Sequence, residues 1–332
     1  MARRTAIPGA PEPRLVIFCH VHYLDVWNEI AARIAETLDQ PFRLVVTTAG
    51  PVDAVEAPAT PHLLAMRVVE VENRGRDIRP FLQVLREEPA FDVGLKLHTK
   101  RSVHRLDGEG WRQAITGSLL PDREGTQHFA ALLGSKTGRL GIVAPDGALL
   151  SVAFWMGRNR RPIAQVARRM GRDPRRLFAH CPYFVAGSMF WFRAEAIAPF
   201  RDVDLDDLFA GEKGQTDGTA AHAVERMFAP VAEAEGWITS SAATAAGLGE
   251  EPVSDAALRS ATLAEMDAES RFLRRPHPLV MWASNRLPFV VSVYRAMPDP
   301  IRVRLRDALH WAAAVARKSK TQSRHGDPHR GG

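Results

Sequence analysis

The predicted fold of this chain is decided by residues 71–102, which read VENRGRDIRPFLQVLREEPAFDVGLKLHTKRS. A polar turn, Asn73 to Asp77, precedes a helical pattern, and an apolar strand then ends in a polar segment, Leu97 to Ser102. In an open α/β sheet, ligands bind at the carboxyl ends of the strands, because loops converge there and helix N-termini present amide groups to anions. The stretch therefore predicts the floor of a ligand site.

Short apolar runs alternate with helical patterns on both sides of this stretch. The predicted strands are Leu15–Cys19, Phe42–Thr48, Met66–Glu72, Val93–Leu97, Gly141–Pro145, a run over Tyr183–Arg193 that Gly187 and Ser188 interrupt, and Gly236–Ser241. The predicted helices are Val26–Leu38 with Asp25 as N-cap, a helix through Leu85 with Asp77 as N-cap, Asp122–Leu133, Pro162–Met170, a helix that reaches Phe228, and Asp255–Leu273. This alternation indicates an α/β fold with a mostly parallel sheet flanked by helices.

Length and composition indicate a globular protein. The 332 residues, 45% of them apolar, are enough to bury a substantial core. The two cysteines, Cys19 and Cys181, lack a CxxC spacing, so we expect neither a disulfide framework nor a structural zinc site. The first dozen residues lack the apolar run of a secretory signal, and no stretch approaches the ~20 apolar residues of a membrane span. We therefore expect a cytoplasmic protein.

Charge is unevenly distributed along the chain. The net charge is +6, and residues 301–332 hold eight Lys or Arg against two Asp, so the first 300 residues are formally neutral. We therefore do not expect nucleic acid as a partner; a peripheral contact of Ile301–Lys320 with an anionic membrane is the expectation, with packing on the domain or a partner as the alternative. A second basic run, Arg168 to Arg176, is interpreted as a solvated surface.

The chain is expected to divide into four parts. Residues 1–13 are predicted to be a disordered tail, residues 14–245 the α/β domain, residues 246–320 a helical, amphipathic and basic extension, and residues 321–332 a second disordered tail.

Five motifs follow one another along the α/β domain. They are His20-x-His22-Tyr23, Asn73-x-Gly75-Arg76-Asp77-Ile78-x-Pro80-Phe81, Lys96-Leu97-His98-Thr99-Lys100-x-Ser102, Gly187-Ser188-Met189-Phe190-Trp191, and Gly214-Gln215-x-Asp217-Gly218-Thr219-x-Ala221-His222-x-x-Glu225-Arg226. This succession, over roughly residues 14–241, resembles the rhamnan synthesis protein F family. The resemblance implies a GT-A-like (nucleotide-diphospho-sugar transferase) fold and a role in building rhamnose-containing surface polysaccharides.

The implied activity is an inverting glycosyltransferase. It would move a sugar, rhamnose in the first instance, from a nucleotide-diphosphate donor to a surface polysaccharide or a lipid-linked glycan, at the inner face of the cytoplasmic membrane. Another hexose or deoxyhexose donor is an open alternative. A catalytically silent glycan-binding or scaffolding subunit of a polysaccharide-assembly complex is a second one.

Sugar transfer needs a base for the acceptor hydroxyl and cations for the leaving diphosphate. Asp217, just before a helix, is the candidate base, although a plain N-cap role is equally compatible with its position. Amide hydrogen bonds and the helix dipole would lower its pKa, so Glu212 is kept as a second candidate. Gln215, Thr219 and His222 are expected to shape the acceptor side.

The donor side is expected to combine the strand ends with two loops. The residues assigned to donor binding are His20, His22, Tyr23, Asn73, Gly75, Arg76, Asp77, Lys96, His98, Lys100, Gly187 and Ser188. Among them the Lys and Arg side chains, together with Arg101, would neutralise the diphosphate.

A cofactor is not established by the sequence. The GT-A pattern normally carries a carboxylate-rich metal motif (DxD) where this chain reads Leu97-His98-Thr99-Lys100, which is a poor ligand set for Mg²⁺. Either cations replace the metal, or His98 with another side chain holds a softer ion such as Mn²⁺.

Overall fold

A seven-stranded sheet forms the centre of the computed structural model, which describes residues 14–99, 108–211, 217–249 and 253–266, all within one compact unit, Met1–Arg275. Its strands are β1 (Leu15–Val21), β2 (Phe42–Thr48), β3 (Leu63–Glu70), β4 (Val93–His98), β5 (Leu140–Ala144), β8 (Phe190–Arg193) and β9 (Ile238–Ser241). Their order is β3-β2-β1-β4-β8-β5-β9; β8 runs antiparallel to both neighbours, and the other pairings are parallel. The predicted α/β class with a mostly parallel sheet is confirmed, and the sheet is consistent with a GT-A-like fold.

Helices pack against the sheet. They are α1 (Leu24–Thr37), α2 (Ile78–Glu87), α3 (Gly108–Leu119), α4 (Arg123–Gly134), α5 (Arg160–Arg169), α6 (Pro174–His180), α7 (Ala198–Arg201), α8 (Ala220–Glu225), α9 (Phe228–Ala234), α10 (Ala242–Ala246) and α11 (Asp255–Met266). Among the described helices, none combines the length and apolar character that a membrane span requires.

The central strands are covered on both faces. In β1, Val16 and Phe18 belong to one buried apolar cluster, whereas Ile17 and Cys19 belong to a second cluster. Successive side chains of a strand point to opposite faces, so the unbroken apolar sequence of β1 places each cluster on its own side of the sheet.

The chain reverses its winding direction at β1. From β1 it proceeds through β2 to β3 on one side, and β4 then returns to pair with the other edge of β1. His20 and His98 are register partners at the carboxyl ends of these two strands. Such a switch point opens a crevice outside the strand ends, which is the usual ligand site of open α/β sheets.

The apolar run over residues 183–193 forms two strands in different sheets. β7 (Tyr183–Val185) pairs with β6 (Leu149–Ser151) in a small antiparallel sheet, whereas β8 lies between β4 and β5. Gly187 and Ser188, both with positive φ, lie in the break. The interruption predicted at these two residues thus divides the run between two sheets, because Gly187 and Ser188 leave the extended conformation.

Asp122, Asp25 and Asp77 differ in whether their side chains cap a helix. Asp122 accepts a hydrogen bond from the Gly125 amide at 2.8 Å and caps α4, as expected for an N-cap aspartate. Asp25 instead lies within the first turn of α1, where Tyr23 occupies the cap position. The Asp77 carboxylate binds Lys96 rather than capping α2.

Helix α11 packs on the edge strand β9. The Thr262 hydroxyl donates to the Thr239 carbonyl at 2.8 Å, and Arg259 pairs with the buried Glu233. The first helix of the predicted extension is thereby attached to the sheet, while the basic segment Ile301–Lys320 and both predicted tails lie outside the described residues.

Candidate functional site

A cleft opens at the carboxyl end of β4, between the N-terminal ends of α2 and α8 and the side of α3. Its enclosed volume is about 60 Å³, and about 570 Å³ when the solvent in its open mouth is included. Six of the predicted site residues line it: Arg76, Asp77, His98, Gly187, Ser188 and His222. The structure thus brings together the polar turn before α2, the end of β4 and the break before β8.

Two left-handed turns face each other across this cleft. Gly75 and Arg76 have φ angles of 70° and 56°, and Gly187 and Ser188 have φ angles of 84° and 56°. Among the residues that the structure describes, Arg76 and Ser188 are the non-glycine residues with positive φ. Such conformations cost about 1–3 kcal/mol each and are typical of ligand sites. Strain at both walls makes this cleft the candidate functional site.

Gly75 and Gly187 let neighbouring side chains pack closely against the backbone of the two turns. A Cβ atom on Gly75 would lie 2.5 Å from the Arg79 Cβ atom and 2.7 Å from the Phe209 ring, so no side chain fits there. A Cβ atom on Gly187 would lie 3.3 Å from the nearest atom of the Trp111 ring. The second glycine thus lets the indole pack against the turn.

Lys96 lies beneath the cleft and joins the two turns. Its ammonium group donates to Asp77 Oδ2 at 2.6 Å, to the Ser188 carbonyl at 2.8 Å and to Ser188 Oγ at 2.9 Å. The side chain is 1% exposed, and its Nζ atom lies 5.2 Å from the centre of the Phe81 ring. All three N–H groups are used, so the prediction that Lys96 neutralises a diphosphate directly is not supported. Lys96 instead holds Asp77 and Ser188 together, and we call this arrangement the clamp.

Two further side chains hold the Gly187–Ser188 turn. His98 Nε2 donates to the Gly187 carbonyl at 2.7 Å, and the Gly187 amide donates to Glu225 Oε1 at 2.8 Å. Lys96, His98 and Glu225 come from β4 and α8, so the strained turn is fixed from both sides.

Asp217 binds the residues at the start of α5. Its Oδ2 atom accepts from the Arg158 amide at 2.9 Å, and its Oδ1 atom accepts from Asn159 Nδ2 at 2.6 Å. Burial by itself raises the pKa of this carboxyl, but these hydrogen bonds and the charges of Arg226 and His222 hold the pKa below its usual value. Asp217 is outside the set of described residues lining the cleft. This geometry argues against the predicted general base, and Thr219, not Asp217, occupies the cap position of α8.

Helix α8 presents a different carboxylate to the cleft. Glu225 follows His222 by three residues, so both side chains lie on one helix face, and both line the cleft. The His222 Nδ1 atom lies 2.8 Å from Thr219 Oγ1, which fixes the orientation of the ring. The predicted set omitted Glu225, although its spacing from His222 was a usable signal.

Trp111 and Arg112 on α3 are two further cleft residues that sequence reasoning missed. Arg112 also pairs with Glu29 at 2.9 Å. An adjacent aromatic and cation in a helix is too common a pattern to mark a site without the fold.

His20, His22, Tyr23 and Asn73 lie outside the cleft lining. His20 Nδ1 lies 3.0 Å from Thr47 Oγ1. Burial, opposed by Asp77 and reinforced by neighbouring cations, lowers the pKa of His20 to about 4. The His22 and Tyr23 amides both donate to Thr99 Oγ1, at 2.8 and 2.9 Å. These residues therefore shape the ends of β1 and β4, and Asn73 is exposed to solvent.

Three predicted site residues, Lys100, Glu212 and Gln215, lie outside the described residues, and their roles stay predictions. His98 was the one metal ligand suggested by the sequence. Its Nε2 atom donates to a carbonyl, and the described residues contain no group of three or more His, Cys, Asp or Glu side chains placed to hold a metal. Within the described ranges, therefore, the side chains at this cleft do not form a divalent-metal site.

Two comparisons identify similar proteins. The sequence model of a family described as "Rhamnan synthesis protein F" matches residues 3–237. Two curated proteins, each named "Uncharacterized protein WxcX" and found in Xanthomonas campestris pv. campestris strains B100 and ATCC 33913, are 35% identical over 243 residues. The match covers 68% of this chain and 33% of each relative, so the chain spans about one third of their length.

Proposed function

The chain belongs to the rhamnan synthesis protein F family, and on that premise we propose that its cleft binds a nucleotide-diphospho-sugar and transfers the sugar to a glycan acceptor. The observation that carries the proposal is the pair of clamped left-handed turns, Gly75–Arg76 and Gly187–Ser188, beside the switch point of the sheet. A preorganised polar cleft at this place suits an anionic ligand whose orientation decides the reaction.

The donor would occupy the side of the cleft between α2 and α3. Arg76 and Arg112 supply positive charge for a diphosphate, and Trp111 offers an aromatic face on which a base or a sugar ring can stack. Lys96 contributes by holding Asp77 and Ser188 in place.

The acceptor step requires removal of a proton from a hydroxyl group. We propose Glu225 as the base in place of Asp217, because Glu225 lines the cleft and Asp217 does not. Its Oε1 atom accepts from the Gly187 amide, and its Oε2 atom lies 3.7 Å from Arg226. The acceptor oxygen would form a bond to the anomeric carbon while the bond from that carbon to the diphosphate breaks. The proton would pass to the Glu225 carboxylate, and the nucleoside diphosphate would leave.

The substrates are proposed from the family. A rhamnosyl donor and a surface polysaccharide or lipid-linked glycan acceptor fit the description of rhamnan synthesis. Transfer at the inner face of the cytoplasmic membrane would follow if the acceptor is lipid-linked.

Turnover tests this proposal. The full chain is incubated with a panel of nucleotide sugars and glycan acceptors, and release of nucleoside diphosphate is followed with and without EDTA. We expect release with one donor class and at least a hundredfold loss in Glu225→Gln, the usual contribution of a general base being about 10²–10⁴. Absence of turnover, together with absence of donor binding in calorimetry, would refute the transferase proposal.

A catalytically silent glycan-binding subunit is the second candidate. It is favoured by the end of β4, which reads Leu97-His98-Thr99 where the GT-A pattern has a carboxylate-rich motif. Glycan binding without turnover of any donor would support it over the transferase.

A further inference from the structure

The most highly charged part of the described chain is the surface of α5 and α6. Residues 158–176 hold eight arginines and one acidic residue, Asp173, which gives a net charge of +7. The whole chain has a net charge of +6, so all other residues together carry −1. The arginine surface consists of Arg158, Arg160, Arg161, Arg168, Arg169, Arg172, Arg175 and Arg176.

Helix packing directs these arginines outward. Helix α5 buries Ile163, Val166 and Ala167 against the protein, and Arg161 and Arg168 lie two turns apart on the opposite, exposed face. On α6, Leu177 is buried and Arg175 and Arg176 are exposed. The two helices therefore lie flat on the body of the protein and offer only side chains to a partner.

Part of this charge is not neutralised. Arg169 pairs with Asp207, and Arg172 pairs with Glu235. Arg160, Arg161, Arg168 and Arg175 are exposed and make no ion pair with any residue in the described part of the chain. Neighbouring guanidinium groups repel one another when no carboxylate lies between them. An anionic partner would reduce this repulsion.

The arginine surface is attached to the wall of the cleft. At the start of α5, Asn159 donates to Asp217 Oδ1 at 2.6 Å and accepts from the Gly218 amide at 3.1 Å. The segment beginning at Asp217 leads directly into α8, whose His222 and Glu225 line the cleft. Asp217, which does not line the cleft, thus connects the arginine surface to it.

We propose that the arginine surface docks the protein on a bilayer that contains anionic phospholipid. Arginine binds phosphate oxygens through two parallel hydrogen bonds, and clusters of cations on a protein surface are attracted to anionic leaflets. Helices that lie flat suit a broad planar surface better than a nucleic-acid groove, into which a helix must project. The choice of a bilayer rests on the proposed function, since a lipid-linked acceptor would then be presented near the cleft.

Vesicle binding tests this inference with the full chain and no nucleotide sugar. Phosphatidylcholine vesicles with and without phosphatidylglycerol are sedimented at physiological ionic strength, and the bound protein is measured. Each cation near an anionic surface contributes about fivefold to binding, so Arg161→Glu/Arg168→Glu is expected to bind at least about 25-fold more weakly. The matched control, Arg123→Glu/Lys136→Glu, makes the same charge change at exposed positions near the two ends of α4, which packs in the other apolar cluster from α5 and α6, and is expected to bind like wild type.

Three results would overturn the inference. They are absence of wild-type binding to phosphatidylglycerol vesicles, equal binding by the two double variants, and loss of binding only when Arg304 and Arg306 are changed to Gln. Duplex DNA that binds the wild type more tightly than the vesicles do, through Arg161 and Arg168, would assign the surface to nucleic acid instead. Vesicle binding without turnover would refute the proposed function alone, and turnover without vesicle binding would refute this inference alone.

Discussion

Replacing Lys96 with Met tests whether one buried cation fixes the geometry of the cleft. The change keeps an apolar stem of similar size and removes the ammonium group, which makes three hydrogen bonds of 2.6–2.9 Å. Asp77 then stays behind as a carboxylate whose side chain is 9% exposed. The Ser188 carbonyl loses its ammonium donor in a strained turn.

The expected cost is large because only one partner of a buried pair is removed. Breaking such a pair costs about 3–5 kcal/mol of unfolding free energy, a substantial share of the ~5–15 kcal/mol of a typical domain. Asp77→Asn in the same chain removes the buried negative charge that Lys96 neutralises, so the double variant is expected to regain about 2–3 kcal/mol. Ser188→Ala deletes a single hydroxyl acceptor and is expected to cost about 1–2 kcal/mol.

Urea unfolding followed by tryptophan fluorescence measures these values. Lys136→Met is the matched control, because Lys136 is exposed and its loss should change stability by less than about 0.5 kcal/mol. If Lys96→Met loses no more stability than this control, or if Asp77→Asn brings no recovery, the clamp is refuted.

Three further predictions concern a turn, the base and a buried histidine. Gly75→Ala should cost more than about 2 kcal/mol because its Cβ would meet Arg79, whereas Gly171→Ala, also at positive φ but in open space, should cost about 1 kcal/mol; equal costs in urea unfolding would contradict the packing argument. In the donor assay, Glu225→Gln should lower kcat about 10²–10⁴-fold and Asp217→Asn far less; the reverse order would restore Asp217 as the base. Because the pKa of His20 is lowered to about 4, the unfolded chain binds more protons between pH 6.5 and 4, so stability should fall by roughly 2–3 kcal/mol as the pH drops through that window. His20→Gln should flatten that part of the pH profile measured by urea unfolding, and an unchanged profile would show that His20 is not responsible.

The fold was largely predictable because its signals are local and repeated. Continuous apolar runs identify strands buried on both faces, and β2 begins and ends at the predicted residues, Phe42 and Thr48. The two parts of the run over residues 183–193 could not be assigned to different sheets, because β propensity does not report which neighbour a strand pairs with. In the segment 146–182 the sequence predicts one helix, Pro162–Met170, whereas the structure contains β6, α5 and α6; β6 and α6, with three and seven residues, are too short to show a clear periodicity.

The site was predictable in its location and less so in its roles. The motifs containing Arg76, His98 and His222 do converge on one cleft. The role of Lys96 could not be inferred from its type alone, because the partners that neutralise it, Asp77 and Ser188, come from separate parts of the chain. A lysine within an otherwise apolar strand was nevertheless a signal, since a buried charge requires a partner.

The example of Asp217 shows that the position of an aspartate before a helix does not by itself establish its role. An aspartate before a helix is compatible with a base, a cap or a tertiary anchor, and only the contacts with Arg158 and Asn159 distinguish these roles. Glu225 was left out of the predicted site residues because it is the last residue of α8, away from the loop that drew attention.

Hydrogen exchange of the full chain with and without a nucleotide-diphospho-sugar tests the central claim most directly. A panel of donors is screened, and exchange of the peptides covering the cleft is compared with exchange of peptides from β3 and α4. The account predicts that one donor class slows exchange at residues 75–78, 110–115 and 186–189 and leaves β3 and α4 unchanged. Protection confined to other parts of the chain, or absence of protection with every donor, would contradict it.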